Sequence, residues 1–129
     1  MPSEAVLDAS ALLALLHGEP GSQRVASAIP GAAVCAVNLC EVVGKLADTG
    51  VPEAVIQSAI SGLGLEVYPF DEELAYRAGL LRPVTRALGL SLGDRACLAL
   101  AQRLELPAIT TDKQWSRVAL EVEIVLARP

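Results

Sequence analysis

A chain of 129 residues is the size of one ordinary domain, and with 53% hydrophobic but only 3% aromatic residues its core must come from Leu, Val, Ile and Ala. No apolar run reaches the roughly 18 residues of a membrane span. The start lacks a basic segment followed by an apolar one, so neither a membrane association nor a secretory signal is expected, and the cytoplasm is the expected location. Ten basic residues against fifteen acidic ones, a net charge of −5, argue against a general electrostatic grip on nucleic acid.

Short β-like runs alternate with helical patterns along the chain. "AVLD" (5–8) comes first, followed by helix-like segments at 9–16 and 21–29; a Pro-Gly turn then leads into "AAVCAV" (32–37). Helical segments at 39–49 and 53–62 precede "LEVYPF" (65–70), those at 72–88 and 92–105 precede "PAIT" (107–110), and "VEIVLA" (122–127) comes last. Apolar residues recur at three- and four-residue steps in the helical segments, as in Leu98, Ala101 and Leu104. Gly50, Gly64, Gly89, Pro30, Pro52 and Pro107 mark the joins. This alternation implies one α/β domain over 1–129, with a mostly parallel sheet of about five strands covered by helices on both faces. Such sheets bind ligands outside the carboxyl ends of their strands, where the strand order reverses.

Cys35, Cys40 and Cys97 are odd in number, form no C-x-x-C and lie among apolar neighbours, so they read as small buried hydrophobes rather than a disulfide framework or a zinc site. The single histidine, His17, sits beside Gly18 at the end of a Leu-rich segment and reads as a helix C-terminal residue. A Ser-His catalytic pair is thereby poorly supported.

Four carboxylates fall where strands end and helices start. Asp8 ends the first run, Glu41 lies in the first turn after "AAVCAV", Asp94 opens "DRACLALAQRL", and Asp112 follows "PAIT". Each has a structural explanation by itself. Asp8 or Ser10 can cap the first helix, "NLCE" fits a capping box led by Asn38, "SLGD" fits one led by Ser91, and Asp112 suits an Asx-turn. Taken together they point further. Two carboxylates about 4 Å apart repel by about 4 kcal/mol at an effective dielectric near 20. A hard divalent cation such as Mg²⁺ or Mn²⁺, ligated by oxygen alone, offsets that repulsion and can make a water more nucleophilic against a phosphate.

The set resembles a PIN-domain ribonuclease, in particular the VapC toxin of a VapBC-type toxin–antitoxin pair. "VLDASALLALL", "NLCEVVGKL", "LSLGDRACLALA" and "ITTDKQW" resemble that family's four motifs, in order and over nearly the whole chain. The resemblance implies a three-layer α/β/α PIN-like domain and an Mg²⁺- or Mn²⁺-dependent endoribonuclease that cleaves RNA phosphodiesters by a metal-activated water. Homodimerisation and a cognate VapB-like antitoxin are implied as well. Carried over residue by residue, Asp8, Glu41, Asp94 and Asp112 match the catalytic metal-binding carboxylates. Ser10 and Thr110 match polar residues that arrange them. Asn38 matches a position that is often Ser, Thr or Asn, where a capping role is expected. Arg95 is placed to contact phosphate or orient Asp94, with a plain surface arginine as the competing reading. Trp115 is expected in the core. Lys45, Arg82, Arg86, Lys113 and Arg117 are basic residues that could meet RNA, and the apolar segment 51–63 is a candidate dimer interface.

Other families fit less well. A haloacid-dehalogenase-like phosphatase needs an Asp where Ser10 stands, a receiver domain needs an acidic pair and a late Lys, and "GLGLEV" precedes a strand and lacks the third Gly of a dinucleotide fingerprint. The remaining alternative is a non-catalytic PIN-like module that binds RNA or assembles a complex without cutting.

Overall fold

The computed structural model describes residues Pro2–Pro129. Five strands, β1 (Val6–Leu7), β2 (Ala33–Cys35), β3 (Glu66–Tyr68), β4 (Ala108–Thr110) and β5 (Ile124–Leu126), form one sheet in the order β3-β2-β1-β4-β5. Every pairing is parallel, with Leu7 opposite both Val34 and Ile109. The order reverses between β1 and β4, so the crevice of this sheet opens beyond the ends of those two strands.

Among the described residues seven α-helices accompany the sheet: α1 (Ala9–His17), α2 (Ser22–Ala26), α3 (Ala36–Asp48), α4 (Glu53–Ser61), α5 (Glu72–Leu80), α6 (Arg82–Thr85) and α7 (Leu92–Leu104). Successive strand residues point to opposite faces, and the central strands β2, β1 and β4 are buried on both, whereas the edge strand β3 exposes Glu66 and Val67. Val6, Ala33, Cys35 and Ala108 join Leu74, Leu98 and the buried Trp115 on one face, under α5 and α7. Leu7, Val34 and Ile109 join Leu12, Val25, Val42 and Ile56 on the other, under α1 to α4. The three-layer, parallel architecture read from the sequence is the one the molecule adopts. Helix α3 packs against both α1 and α7 and so links the two outer layers.

Several boundaries differ from the sequence reading. The helix expected over 72–88 is broken, because Pro83 has no N–H to continue the ladder and instead sits in the first turn of a new helix, α6; a 3₁₀ turn, Arg86–Leu88, follows. The segment 21–29 is helical only over Ser22–Ala26. Helix α3 starts at Ala36 rather than 39, directly after β2, so Ala36 and Val37 belong to the helix. Cys40, on α3, is exposed, whereas Cys35 and Cys97 are buried as expected. His17 does close α1, with Gly18 in the left-handed conformation after it. Among the described residues no helix is long and apolar enough to cross a membrane.

Candidate active site

Asp8 stands at the end of β1, at the reversal point. It is only 3% exposed, and its backbone N–H still donates to the Ile109 carbonyl of β4. Its carboxylate is the N-cap of α1: Oδ1 accepts from the Ala11 N–H at 2.8 Å. Two hydroxyls complete its shell. Thr110 Oγ1 donates to Oδ2 at 2.6 Å, and Ser10 Oγ donates across both carboxylate oxygens at 2.8 and 2.9 Å. Each hydroxyl also accepts a backbone N–H from the chain leaving β4, Ser10 from Thr111 at 3.0 Å and Thr110 from Asp112 at 3.1 Å. Ser10 and Thr110 thus lock the start of α1 to the end of β4, with Asp8 at the centre. The sequence offers this cap to either Asp8 or Ser10. Here Asp8 caps, and Ser10 donates to it.

Burial nevertheless pushes the Asp8 carboxyl up to about 6 from 3.8, against the pull of the Thr110, Ala11 and Ser10 donors, and the nearby Asp94 charge adds to the rise. Three donors do not fully compensate this charge.

Asp94 opens α7 in a complete capping box. Its Oδ2 accepts from the Ser91 N–H at 2.8 Å, and Ser91 Oγ accepts from the Asp94 N–H at 3.2 Å. Glu41, on α3, is exposed, and its carboxylate lies directly over Gly93, the residue before Asp94. The buried Cys97 thiol, one turn along α7, is pushed well above its ordinary value by burial first, and then by Asp8, Cys35, Asp94 and Glu41 in that order. Asp112 is tied to Asp8 through its backbone N–H and Thr110, while its carboxylate caps the 3₁₀ turn Lys113–Arg117 by accepting from the Gln114 N–H at 2.9 Å.

Asp8, Asp94 and Asp112 therefore lie at helix starts, whereas Glu41, expected in a first turn, lies in the second turn of α3 because that helix begins at Ala36; each of the four is engaged by local donors. Among the described residues, no three Asp, Glu, His or Cys side chains converge closely enough to form a ready-made metal cage. The donor set is still chemically suited to a hard cation. It is all oxygen, one member is buried and under-compensated, and Mg²⁺ typically takes only one or two protein carboxylates and keeps its waters.

Two expected roles change. Asn38 is not a cap: Cys35 holds that position, and Asn38 sits within α3, 1% exposed. Its Nδ2 donates to Glu41 Oε1 at 3.1 Å and to the Gly93 carbonyl at 3.0 Å, which fastens Glu41 to α7. The early start of α3 turns this side chain away from the helix terminus and toward α7. Arg95 neither orients Asp94 nor stands free on the surface. It is half-buried, and its Nη1 donates to the Ala78 carbonyl at 3.0 Å, joining α7 to α5. Lys45, Arg82, Arg86, Lys113 and Arg117 are all exposed. Gly93 is a site residue that sequence reasoning passed over; its one signal is a glycine inside a capping box, where a better helix former would be expected.

The molecule is thus a doubly wound parallel α/β domain that presents carboxylates at its switch point. The chain belongs to the PIN domain family, whose model matches residues 5–121. Among curated proteins, none matches this sequence. Its fold is similar to that of a toxin–antitoxin complex protein from Klebsiella pneumoniae (24% identity, TM-score 0.72, covering 94% of this chain and all of that one). It is also similar to DNA-bound VapBC from Salmonella typhimurium (16% identity, TM-score 0.75, 98% and 99%). VapBC-5, a member of the VapBC family of toxin–antitoxin systems from Mycobacterium tuberculosis, is similar as well (22% identity, TM-score 0.59, 97% and 99%). At these identities the likeness is one of fold.

Proposed function

We propose that this chain is a divalent-metal-dependent endoribonuclease and the toxin half of a VapBC-like toxin–antitoxin pair. The observation that carries the reading is Asp8: a carboxylate buried at the switch point of the sheet, still under-compensated by its three donors, with the Asp94 charge of α7 acting on it and Glu41 of α3 seated against that same helix start. Membership of the PIN domain family and the fold shared with toxin–antitoxin proteins support the same reading.

In this reading Asp8, Glu41 and Asp94 hold Mg²⁺ or Mn²⁺, and Asp112 completes the set from the end of β4. The bound ion supplies a more nucleophilic water and stabilises charge that develops on the phosphodiester. The chain's own residues prepare the place. Ser10 and Thr110 fix the Asp8 rotamer, Asn38 holds Glu41 against α7, and the N-terminus of α7 presents its positive dipole end toward an anionic group. A homodimer and a VapB-like antitoxin are the proposed partners. An apolar trough of about 950 Å³ between α3 and α4, lined by Val43, Val51, Ile56 and Ile60, overlaps the 51–63 segment and is the candidate dimer face.

The test is cleavage of RNA by purified protein with Mg²⁺ or Mn²⁺, beside EDTA and Asp94→Asn controls. Metal-dependent cleavage that Asp94→Asn abolishes is the expected result. RNA that is retained in a shift assay and never cut would replace the enzyme by a non-catalytic binding module, and activity that survives EDTA would remove the metal from the mechanism.

A further inference from the structure

We propose that Gly93 is a positioning residue: the missing side chain at the second position of α7 is the space in which the Glu41 carboxylate sits. This inference rests on the assignment of Glu41 to the cation site, and it explains a glycine that the fold by itself does not require.

A glycine in a helix is unfavourable relative to alanine, because it loses more backbone freedom on folding. It is justified where the backbone is left-handed or where something approaches too closely for a Cβ. Gly93 has an ordinary helical φ; the left-handed glycines are Gly18, Gly21, Gly31, Gly50, Gly64 and Gly89. Conformation therefore gives no reason for it. Space does. A Cβ placed on Gly93 would overlap Glu41 Oε1, Oε2 and Cδ, and these are its three nearest neighbours. Gly44 in α3 and Gly79 in α5, the comparison cases, would meet nothing within 4 Å. At Gly93 the close neighbour is a carboxylate from another helix.

A second contact holds the same arrangement. The buried Asn38 amide donates at once to Glu41 Oε1 and to the Gly93 carbonyl, so one side chain fixes the carboxylate and the backbone that it rests on. Glu41 is thereby delivered to the first turn of α7, next to Asp94. Glu41 is also exposed. If a methyl group filled its seat, the side chain could swing into solvent at little cost to the fold. Alanine at position 93 should therefore spare stability and spoil the site, the opposite of what a packing glycine does.

The experiment compares wild type, Gly93→Ala, Glu41→Ala and the double variant by two readouts: thermal unfolding without metal, and Mn²⁺ titration by calorimetry. We expect the metal-free Tm of Gly93→Ala to equal or exceed that of wild type, and its Mn²⁺ affinity to fall by about 10-fold or more, the size of effect seen when a residue that orients a metal ligand is lost. In the Glu41→Ala background the same substitution should change Mn²⁺ affinity by less than about 2-fold, because no carboxylate remains to displace. Unchanged Mn²⁺ affinity in Gly93→Ala, or an equal loss with and without Glu41, would overturn the proposal, as would a clear fall in Tm, which would mark the glycine as a packing residue. A wild type that binds no Mn²⁺ would instead overturn the metal-site reading and this inference with it, an outcome distinguishable from failure at Gly93 alone.

Discussion

At the junction of β1 and β4 the Asp8 carboxylate is 3% exposed and accepts from a backbone N–H and two hydroxyls. At the junction of α3 and α7 the Glu41 carboxylate is exposed and is fastened through Asn38. The first region is rigid because both hydroxyls that hold Asp8 are themselves held by the chain leaving β4, and the third donor is the backbone of α1. The second is adjustable, because a long side chain rests on a helix and can leave it. The contrast teaches that two carboxylates on one edge of a sheet can differ in freedom, one fixed by burial and three donors, the other exposed and held by a single amide.

The largest expected effect breaks the rigid half. Asp8→Asn should lower cleavage by about 10³-fold or more, the loss of several kcal/mol of charge stabilisation, while leaving the fold intact. Asn keeps an oxygen for the Ala11 N–H, and the Ser10 and Thr110 hydroxyls can turn to accept from its amide. The stability of the metal-free protein should also change with pH. The folded Asp8 carboxyl titrates at about 6, against 3.8 as the ordinary value. It therefore binds its proton more readily when folded, and ionising it opposes folding. Stability should fall as pH rises from about 4 through about 6 and level off above, with about 3 kcal/mol at stake. In Asp8→Asn that dependence should vanish, so the variant should be more stable than wild type at pH 7.5 and not at pH 4, as read by urea unfolding at both pH values.

A smaller effect comes from the hydroxyl that supports Asp8. Thr110→Val removes the donor to Asp8 Oδ2 and the acceptor of the Asp112 N–H, both buried or half-buried. A cost of about 1–3 kcal/mol is expected in chemical denaturation, and the acid limb of the pH–activity profile should move upward, since the Asp8 anion loses a stabilising partner.

On the adjustable side, Asn38→Ala should reduce activity by about 10-fold at a lower cost in stability than Thr110→Val. Asn38 Oδ1 is already buried without a partner among the described residues, so its removal relieves one unsatisfied group while two hydrogen bonds are lost. Arg95→Lys is the smallest change. It loses the contact to Ala78 and should cost about 1 kcal/mol of stability, with cleavage per folded molecule unchanged.

Much of this was legible in the sequence, and for identifiable reasons. "SLGD" gave the start of α7 and its capping box, because that pairing is local in the chain. The apolar runs mark the central strands, since strands buried on both faces are apolar throughout, while the edge strands β3 and β5 are more exposed. Their order was not legible: nothing in "AVLD" or "PAIT" says that β1 lies beside β4. It is that adjacency which brings Thr110 to Asp8 across 102 positions. "AAVCAV" concealed the start of α3, as an apolar run of small residues suits a strand and a helix equally. Asn38 was read as a cap on that account, whereas its partner, Gly93, lies 55 positions away. Pro83 marks the break within 72–88, but the apolar periodicity runs on through it and masks the boundary.

The measurement closest to the central claim is thermal unfolding of wild type and Asp8→Asn with increasing Mn²⁺. A ligand that binds only the folded state raises Tm as its concentration exceeds its Kd, with the logarithm of that ratio. If Asp8 is the fixed point of a cation site, Mn²⁺ raises the wild-type Tm progressively and leaves that of Asp8→Asn where it was. Equal rises in both proteins, or none in wild type, would contradict it.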